Sequence, residues 1–375
     1  MAEVLNAITG VLLLGLLAGS IFLWVAAYGK LIAGKPLLTM EPRRTVPWGL
    51  ADLFIIFITI VVVIIGGQLL GAWLFNIPRS ADTSELTAQH LSVMLFSSSL
   101  SMLAACAISV LLLLVRGASW KDLGLQAGQF LRDVKLGATA FVMLAPPMYL
   151  LQFLLTRIWP SEHPIQTLLL EDPDPAVIVG AAMTAVIVAP LTEEIFFRLI
   201  LQGWLEKCWV WLERTRNGQY EMSQAGAVQS QLDSIGVFLG NYTPEPPVAE
   251  EQSELAEAEF TEQTTLAPAS DETANANPYL SPRVDWAEDQ PKPIYNLEVR
   301  PALGIWPIFI SSAIFALLHW GHGPDPVPLF FLAVGLGYLY HRTHRIVPCI
   351  TVHFMVNGLS MIALIMFLLS GEPPP

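Results

Sequence analysis

Three charged side chains interrupt an apolar run in the stretch LTEEIFFRLI, residues 191–200. They belong to Glu193, Glu194 and Arg198. A charged group at membrane depth is energetically expensive, so it persists where it pairs with another charge or faces an internal aqueous cavity. The stretch therefore indicates a buried ion pair, a functional site, or both.

Helical spacing gives the two glutamates different tasks. Glu194 precedes Arg198 by four residues, which is the favourable order for an ion pair on one helix face. Glu193 lies about 100° away around the helix and has no charge partner at helical spacing. A purely structural charge cluster would explain Glu194 and Arg198 but would not explain Glu193. We therefore expect Glu193 to have a functional role.

Two further polar pairs occur in later apolar runs. In FALLHWGH, Phe315 and His319 are four residues apart, and in ITVHFMVNG the same spacing separates His353 from Asn357. Each pair therefore lies on one helix face. A single histidine within the membrane is often a hydrogen-bonded packing residue. Two histidines and an asparagine together with a free glutamate form a set that suits the activation of water.

The composition places these residues in a membrane protein. Of the 375 residues, 54% are hydrophobic and 14% are charged, and the mean hydropathy is +0.54. These values exclude an ordinary soluble globular domain. A bilayer core of roughly 30 Å takes about 20 apolar residues per helix. Eight runs approach this length and predict spans at roughly 4–28, 51–76, 91–115, 135–158, 176–205, 302–320, 327–341 and 346–370.

The predicted fold class is all-α, a polytopic membrane helix bundle of about eight transmembrane helices. Lys and Arg are retained on the cytoplasmic side of membrane proteins. Of the 19 basic residues, 16 lie in the loops after the first, third, fifth and seventh spans. This distribution predicts that both termini lie outside and that the site opens to the cytoplasm. We expect the protein to lie in the cell membrane.

An acidic insert separates the fifth span from the sixth. Residues 213–300 hold 16 acidic and five basic residues, so they carry −11 of the chain's net charge of −13. The insert has too little apolar surface to offset the entropy of ordering, so we predict that it is mostly disordered. A solvated cytoplasmic spacer is the simplest interpretation, and a regulatory or docking tail is the alternative. Nothing in it indicates nucleic-acid binding.

Helix rise predicts that the polar residues of the three runs meet at one depth. Glu193, His319 and His353 agree within about one turn when each span is measured from its cytoplasmic border at 1.5 Å per residue. This geometry requires the chain after His319 to turn at membrane depth.

The three motifs in this order resemble those of the CPBP family. EExxxR, FxxxH and HxxxN on successive hydrophobic helices are similar to the motifs of type II CAAX prenyl endopeptidases, bacteriocin-processing and immunity proteins, and lysostaphin-resistance-like proteins. In this chain Leu199 follows the arginine, where the family often has glycine, and the insert lengthens the first separation. The resemblance implies a division into N-terminal helices with an interfacial segment (1–134), a protease core (135–212 and 301–370) and the insert (213–300).

The family implies an intramembrane endopeptidase that cleaves membrane-associated substrates, with prenylated CAAX-type proteins among the candidates. Glu193 would then act as general base on a water that His319 orients. His353 and Asn357 would stabilise the oxyanion. Glu194, Arg198 and Phe315 would support these side chains.

Two questions stay open at this point. Glu193, His319 and His353 could instead bind Zn²⁺ or another divalent metal. No HExxH occurs, and we favour glutamate catalysis without a metal. A non-catalytic membrane scaffold or bacteriocin-immunity protein of the same fold is the closest alternative function. A transporter would also carry buried charges, but we find no inverted repeat with paired broken helices.

Overall fold

The computed structural model describes residues 2–41, 45–77, 87–159, 169, 174–213, 215, 304–321 and 323–370. None of these residues lies in a β-strand. The predicted disordered insert falls outside the described residues, apart from its first few positions. The described helices belong to one compact unit, which is formed by residues 1–214 and 297–375.

Eight helices follow one another in the described residues, and each one overlaps a predicted span. They are α1 (Ala2–Ile32), α2 (Leu50–Leu74), α3 (Ala88–Val115), α4 (Phe130–Thr156), α5 (Pro175–Glu213), α6 (Trp306–Leu317), α7 (Pro326–Thr343) and α8 (Val347–Ser370). Six of them, α1 to α5 and α8, are long and apolar enough to cross a membrane. The structure thus confirms an all-α membrane bundle, whereas eight crossings remain a prediction.

Helix α6 is too short to cross a bilayer by itself. Its 12 residues extend about 18 Å, against a hydrocarbon core of roughly 30 Å. The backbone after α6 forms turns before α7 begins at Pro326. The expectation that the chain turns at membrane depth after His319 stays a prediction.

Helix α5 departs from regular α geometry at two places. It contains two π-helical segments, Met183–Val188 and Ile195–Gln202, on either side of the α-helical segment Ala189–Glu194. A π-helix forms i→i+5 hydrogen bonds, and short π segments are frequent at functional sites. Pro190 contributes to the irregularity because it has no amide hydrogen to donate within the helix.

The three helices that carry the polar motifs pack against one another. Helix α6 contacts the second π segment of α5, and α8 contacts both the first π segment and the α-helical segment that follows it. Helices α4 and α7 cover the remaining side of α8, α1 flanks α4, and α2 flanks α3. The polar motifs therefore lie inside the bundle.

Small residues allow the helices around the site to approach closely. A Cβ added at Gly137 of α4 would lie 2.6 Å from Cβ of Thr351 in α8. A Cβ at Gly337 of α7 would lie 2.7 Å from Cγ2 of Ile308 in α6. Close backbone approach of this kind is typical of helix packing in membranes.

A buried cation joins three parts of the chain at the end of the bundle where α7 meets α8. The guanidinium of Arg345 lies 2.7 Å from a carboxylate oxygen of Asp133 in α4 and 2.7 Å from one of Glu41. Arg345 and Asp133 are both almost fully buried. Each of these charges therefore depends on its partner for neutralisation.

We expect Arg345→Met to lower the free energy of unfolding by about 3–5 kcal/mol, because it leaves Asp133 buried without a counter-charge. Arg116→Met is the matched control, since it removes an exposed arginine that lies 2.9 Å from Asp52. Exposed pairs contribute less than about 1 kcal/mol. Denaturant unfolding in mixed micelles measures both variants, and equal losses would contradict the assignment of Arg345 as a structural centre.

Candidate active site

Glu194 and Arg198 form a fully buried ion pair. Nε of Arg198 donates a hydrogen bond to Oε2 of Glu194 at 3.1 Å, and neither side chain is exposed. The spacing of the sequence predicted this pair, and the structure places it between α5, α6 and α8. Burial of two charges is tolerable only because each neutralises the other.

The second carboxylate oxygen of Glu194 orients a histidine of α8. Nδ1 of His353 lies 2.8 Å from Oε1 of Glu194. An ionised carboxylate only accepts hydrogen bonds, so Nδ1 carries the hydrogen. In the neutral ring this leaves Nε2 as the acceptor and directs it away from Glu194. Glu194 thereby has both oxygens occupied.

Glu193 lies on the other side of the same imidazole. Its Oε2 is 3.7 Å from Nε2 of His353, and its side chain keeps 25% of its surface exposed. Glu193 has no charge partner at helical spacing within α5, and the structure supplies His353 of α8 as one. Glu193 is close enough for electrostatic interaction with His353 and remains available to bond another group.

Phe315 and His319 of the second motif lie next to His353. The ring of the fully buried Phe315 lies 4.8 Å from the ring of His319 and 6.0 Å from that of His353, centroid to centroid. Nδ1 of His319 lies 2.9 Å from the carbonyl oxygen of Phe315, which ties the ring to the end of α6. Phe315 therefore lies beside both histidines.

Asn357 makes a contact that the sequence did not predict. Its Nδ2 donates a hydrogen bond of 2.8 Å to the carbonyl of Ala185, in the first π segment of α5. One of the two hydrogens on Nδ2 is therefore used to join α8 to α5. The other hydrogen remains for a second acceptor.

Ser311 supports the ion pair and was missed by sequence reasoning. Nη1 of Arg198 donates to Oγ of Ser311 at 3.3 Å, and that hydroxyl donates to the carbonyl of Phe197 at 2.8 Å. The guanidinium also lies over the ring of Phe315, 5.5 Å from its centroid. Ser311 precedes Phe315 by four residues, so extension of the FxxxH pattern by one turn would have identified it.

Among the described residues, no three His, Cys, Asp or Glu side chains lie close enough together to hold a metal ion. His353 uses Nδ1 to bond Glu194, and His319 uses Nδ1 to bond the carbonyl of Phe315, so each ring keeps Nε2 for a further partner. A histidine that binds a metal usually donates its other ring N–H in this way. Metal binding by Glu193, His319 and His353 therefore stays a prediction.

Comparison with known proteins identifies the last part of the chain. Residues 293–359 match the family model for type II CAAX prenyl endopeptidase Rce1-like. The matched residues include the second and third motifs, FxxxH and HxxxN, but not EExxxR. The search of curated proteins found no match, and the search of solved structures also found none. The match is to a family of proteases, and together with the apolar helices it supports an integral membrane protein. Residues 293–359 are thus similar to the type II CAAX prenyl endopeptidases, which is consistent with the CPBP family.

Proposed function

We propose that this protein is an endopeptidase that hydrolyses peptide bonds of membrane-associated proteins, with its site open to the cytoplasm of the cell that carries it in its membrane. The observation that carries the proposal is the continuous line of contacts from Arg198 through Glu194 and His353 to Glu193. Three of these groups, Arg198, Glu194 and His353, are buried and bonded in sequence. Glu193 is the last residue of this series. Its side chain is partly exposed, and its carboxylate can accept further hydrogen bonds.

Glu193 acts as the general base. Its carboxylate takes a proton from a water molecule that His319 helps to orient, and the water oxygen bonds to the scissile carbonyl carbon. The electron pair of the carbonyl moves to its oxygen. When the carbonyl re-forms, the C–N bond breaks, and the protonated Glu193 gives its proton to the leaving amine. The proton taken from water thus reaches the leaving amine through the carboxyl group of Glu193.

His353 and Asn357 stabilise the oxyanion of the intermediate. His353 donates through Nδ1 to Glu194, and in its doubly protonated form it also donates through Nε2 to the substrate. Asn357 contributes the hydrogen on Nδ2 that Ala185 does not accept. Donors that are fixed before the reaction stabilise developing charge without reorganisation. The hydrogen bonds to Glu194 and Ala185 provide this fixation.

The proposed mechanism uses only side chains of the protein and one water molecule. Substrates are membrane-associated proteins whose scissile bond reaches the depth of Glu193. Prenylated CAAX-type C-termini are the candidate class that the matched family model suggests. A non-catalytic scaffold of the same fold is the alternative, and it requires no chemistry from Glu193.

Glu193→Gln should abolish proteolysis while the protein remains folded, because an amide does not accept a proton from water. The measurement uses purified protein in vesicles with a membrane-protein extract, and mass spectrometry identifies new peptide termini. Glu213→Gln, at the end of the same helix, is the control and should give the wild-type fragments. Wild-type protein that produces the same termini as Glu193→Gln would favour the scaffold and end the protease proposal.

Asn357→Ala should lower kcat on a cleaved substrate by about 10²- to 10³-fold, the usual effect of losing one oxyanion donor. Tyr149→Phe is the control, because the Tyr149 hydroxyl also bonds to α8: it donates to the carbonyl of Val356 at 2.7 Å and lies 2.9 Å from Oγ of Ser360. Each change removes hydrogen bonds between helices, and each such bond contributes about 1 kcal/mol to stability. An equal fall in kcat for both variants would show that Asn357 acts only in packing.

A further inference from the structure

The segment between α1 and α2 contacts the helix that carries Glu193. Trp48 is the largest of the fully buried side chains in this segment. Its indole Nε1 donates a hydrogen bond of 3.1 Å to the carbonyl of Ile200 in α5, 152 positions away in the chain. A buried indole usually finds such a partner, and here the partner lies two residues after Arg198.

Ile200 lies where α5 changes geometry. The second π segment ends at Gln202, and the helix continues from Gly203. The carbonyl of Ile200 also accepts from the backbone N–H of Gly203. The indole of Trp48 therefore bonds to α5 at the π segment that contains Arg198.

Two more residues of α5 hold the same segment. Lys207 donates through Nζ to the carbonyl of Trp48 at 2.8 Å and to that of Pro47 at 3.2 Å. A Cβ added at Gly203 would lie 3.3 Å from Cγ1 of Val46 and 3.5 Å from Cζ2 of Trp48. Ile200, Gly203 and Lys207 follow the spacing of three and four residues that defines one helix face. Trp48 packs against this face of α5.

The earlier part of the segment is attached to the start of α8. The backbone N–H of Glu41 donates to the carbonyl of Arg342 at 2.9 Å, and its carboxylate lies 2.7 Å from Arg345. Arg345 comes two residues before α8, the helix that carries His353. The segment between α1 and α2 thus contacts α5 at one end and the α7–α8 connection at the other.

We propose that Trp48 and Lys207 are positioning residues that hold α5 in the register at which Glu193 faces His353. The proposal rests on the proteolytic function proposed above. Neither side chain contacts Glu193, His319 or His353 directly, so both act through the backbone of α5. A shift of about 1 Å in the reacting groups lowers the rate on the order of 10²-fold. A small displacement of the second π segment would therefore be enough to lower kcat.

Trp48→Phe tests the hydrogen bond to Ile200, because it removes the N–H and keeps an aromatic ring. We expect kcat to fall by roughly 10- to 100-fold with KM changed less than about twofold, since the substrate contacts remain. Trp24→Phe is the matched control: Nε1 of Trp24 donates to the carbonyl of Met143 at 2.9 Å, between α1 and α4. This control should keep the wild-type kcat.

Lys207 provides the rescue experiment. Lys207→Met should reproduce the loss of kcat, and Lys207→Arg should restore most of it, because a guanidinium also donates to backbone carbonyls. A role in stability alone predicts lower unfolding temperatures with an unchanged kcat for the folded fraction. That result, or equal losses of kcat in Trp48→Phe and Trp24→Phe, would overturn the proposal.

Hydrogen exchange separates this proposal from the proteolytic function. Amides of residues 195–203 should exchange at least about fivefold faster in Trp48→Phe than in Trp24→Phe, because loss of one hydrogen bond of about 1 kcal/mol lowers the local opening energy. If Trp48→Phe speeds exchange but the wild type shows no cleavage that depends on Glu193, then Trp48 stabilises α5 and the protease proposal is wrong. If the wild type cleaves but Trp48→Phe changes neither exchange nor kcat, then only the positioning role is wrong.

Discussion

The buried ion pair of Glu194 and Arg198 is the interaction on which the rest of the site depends. Both side chains are completely buried, and an isolated charge in such a place would be strongly destabilising. The surrounding helices supply what the pair requires: Ser311 and Phe315 from α6 contact the guanidinium, and His353 from α8 donates to the carboxylate. Neutralising one arginine therefore fixes three helices relative to one another.

Because Glu194 pairs with Arg198, the two adjacent glutamates have different surroundings. Both oxygens of Glu194 are engaged, one by Arg198 and one by His353, whereas Glu193 keeps a partly exposed carboxylate 3.7 Å from the same histidine. The orientation of His353 is therefore set by a residue that has no step in the proposed reaction. The proposed chemistry follows from this arrangement, in which one carboxylate orients the imidazole and the other accepts a proton.

Local spacing predicted those features of the site that lie within single helices. Glu194 and Arg198 were expected to pair because they are four residues apart, and the structure confirms the pair. The HxxxN spacing lies within α8, whereas α6 ends at Leu317 and His319 lies in the turn that follows it. The family match covers these last two motifs, whereas the roles of the residues remain proposals.

The contacts between distant parts of the chain were not predictable in this way. Periodicity reports which face of a helix is apolar, but it does not report which helix will lie against that face. The bond from Asn357 to Ala185 and the bond from Trp48 to Ile200 both end on backbone carbonyls of π segments, and nothing in the apolar run of α5 indicates where those segments begin. Hydropathy also counted α6 as a full span, although its helix has only 12 residues.

A double-mutant cycle on Glu194→Gln and Arg198→Met tests most directly whether this ion pair organises the site. The free energy of unfolding is measured in mixed micelles for the wild type, both single variants and the double variant. Each single change leaves one buried charge without its partner and should cost about 3–5 kcal/mol. The double variant should be more stable than the sum of the single losses predicts, with a coupling free energy of about 2–3 kcal/mol. Additive losses, with a coupling near zero, would contradict the account.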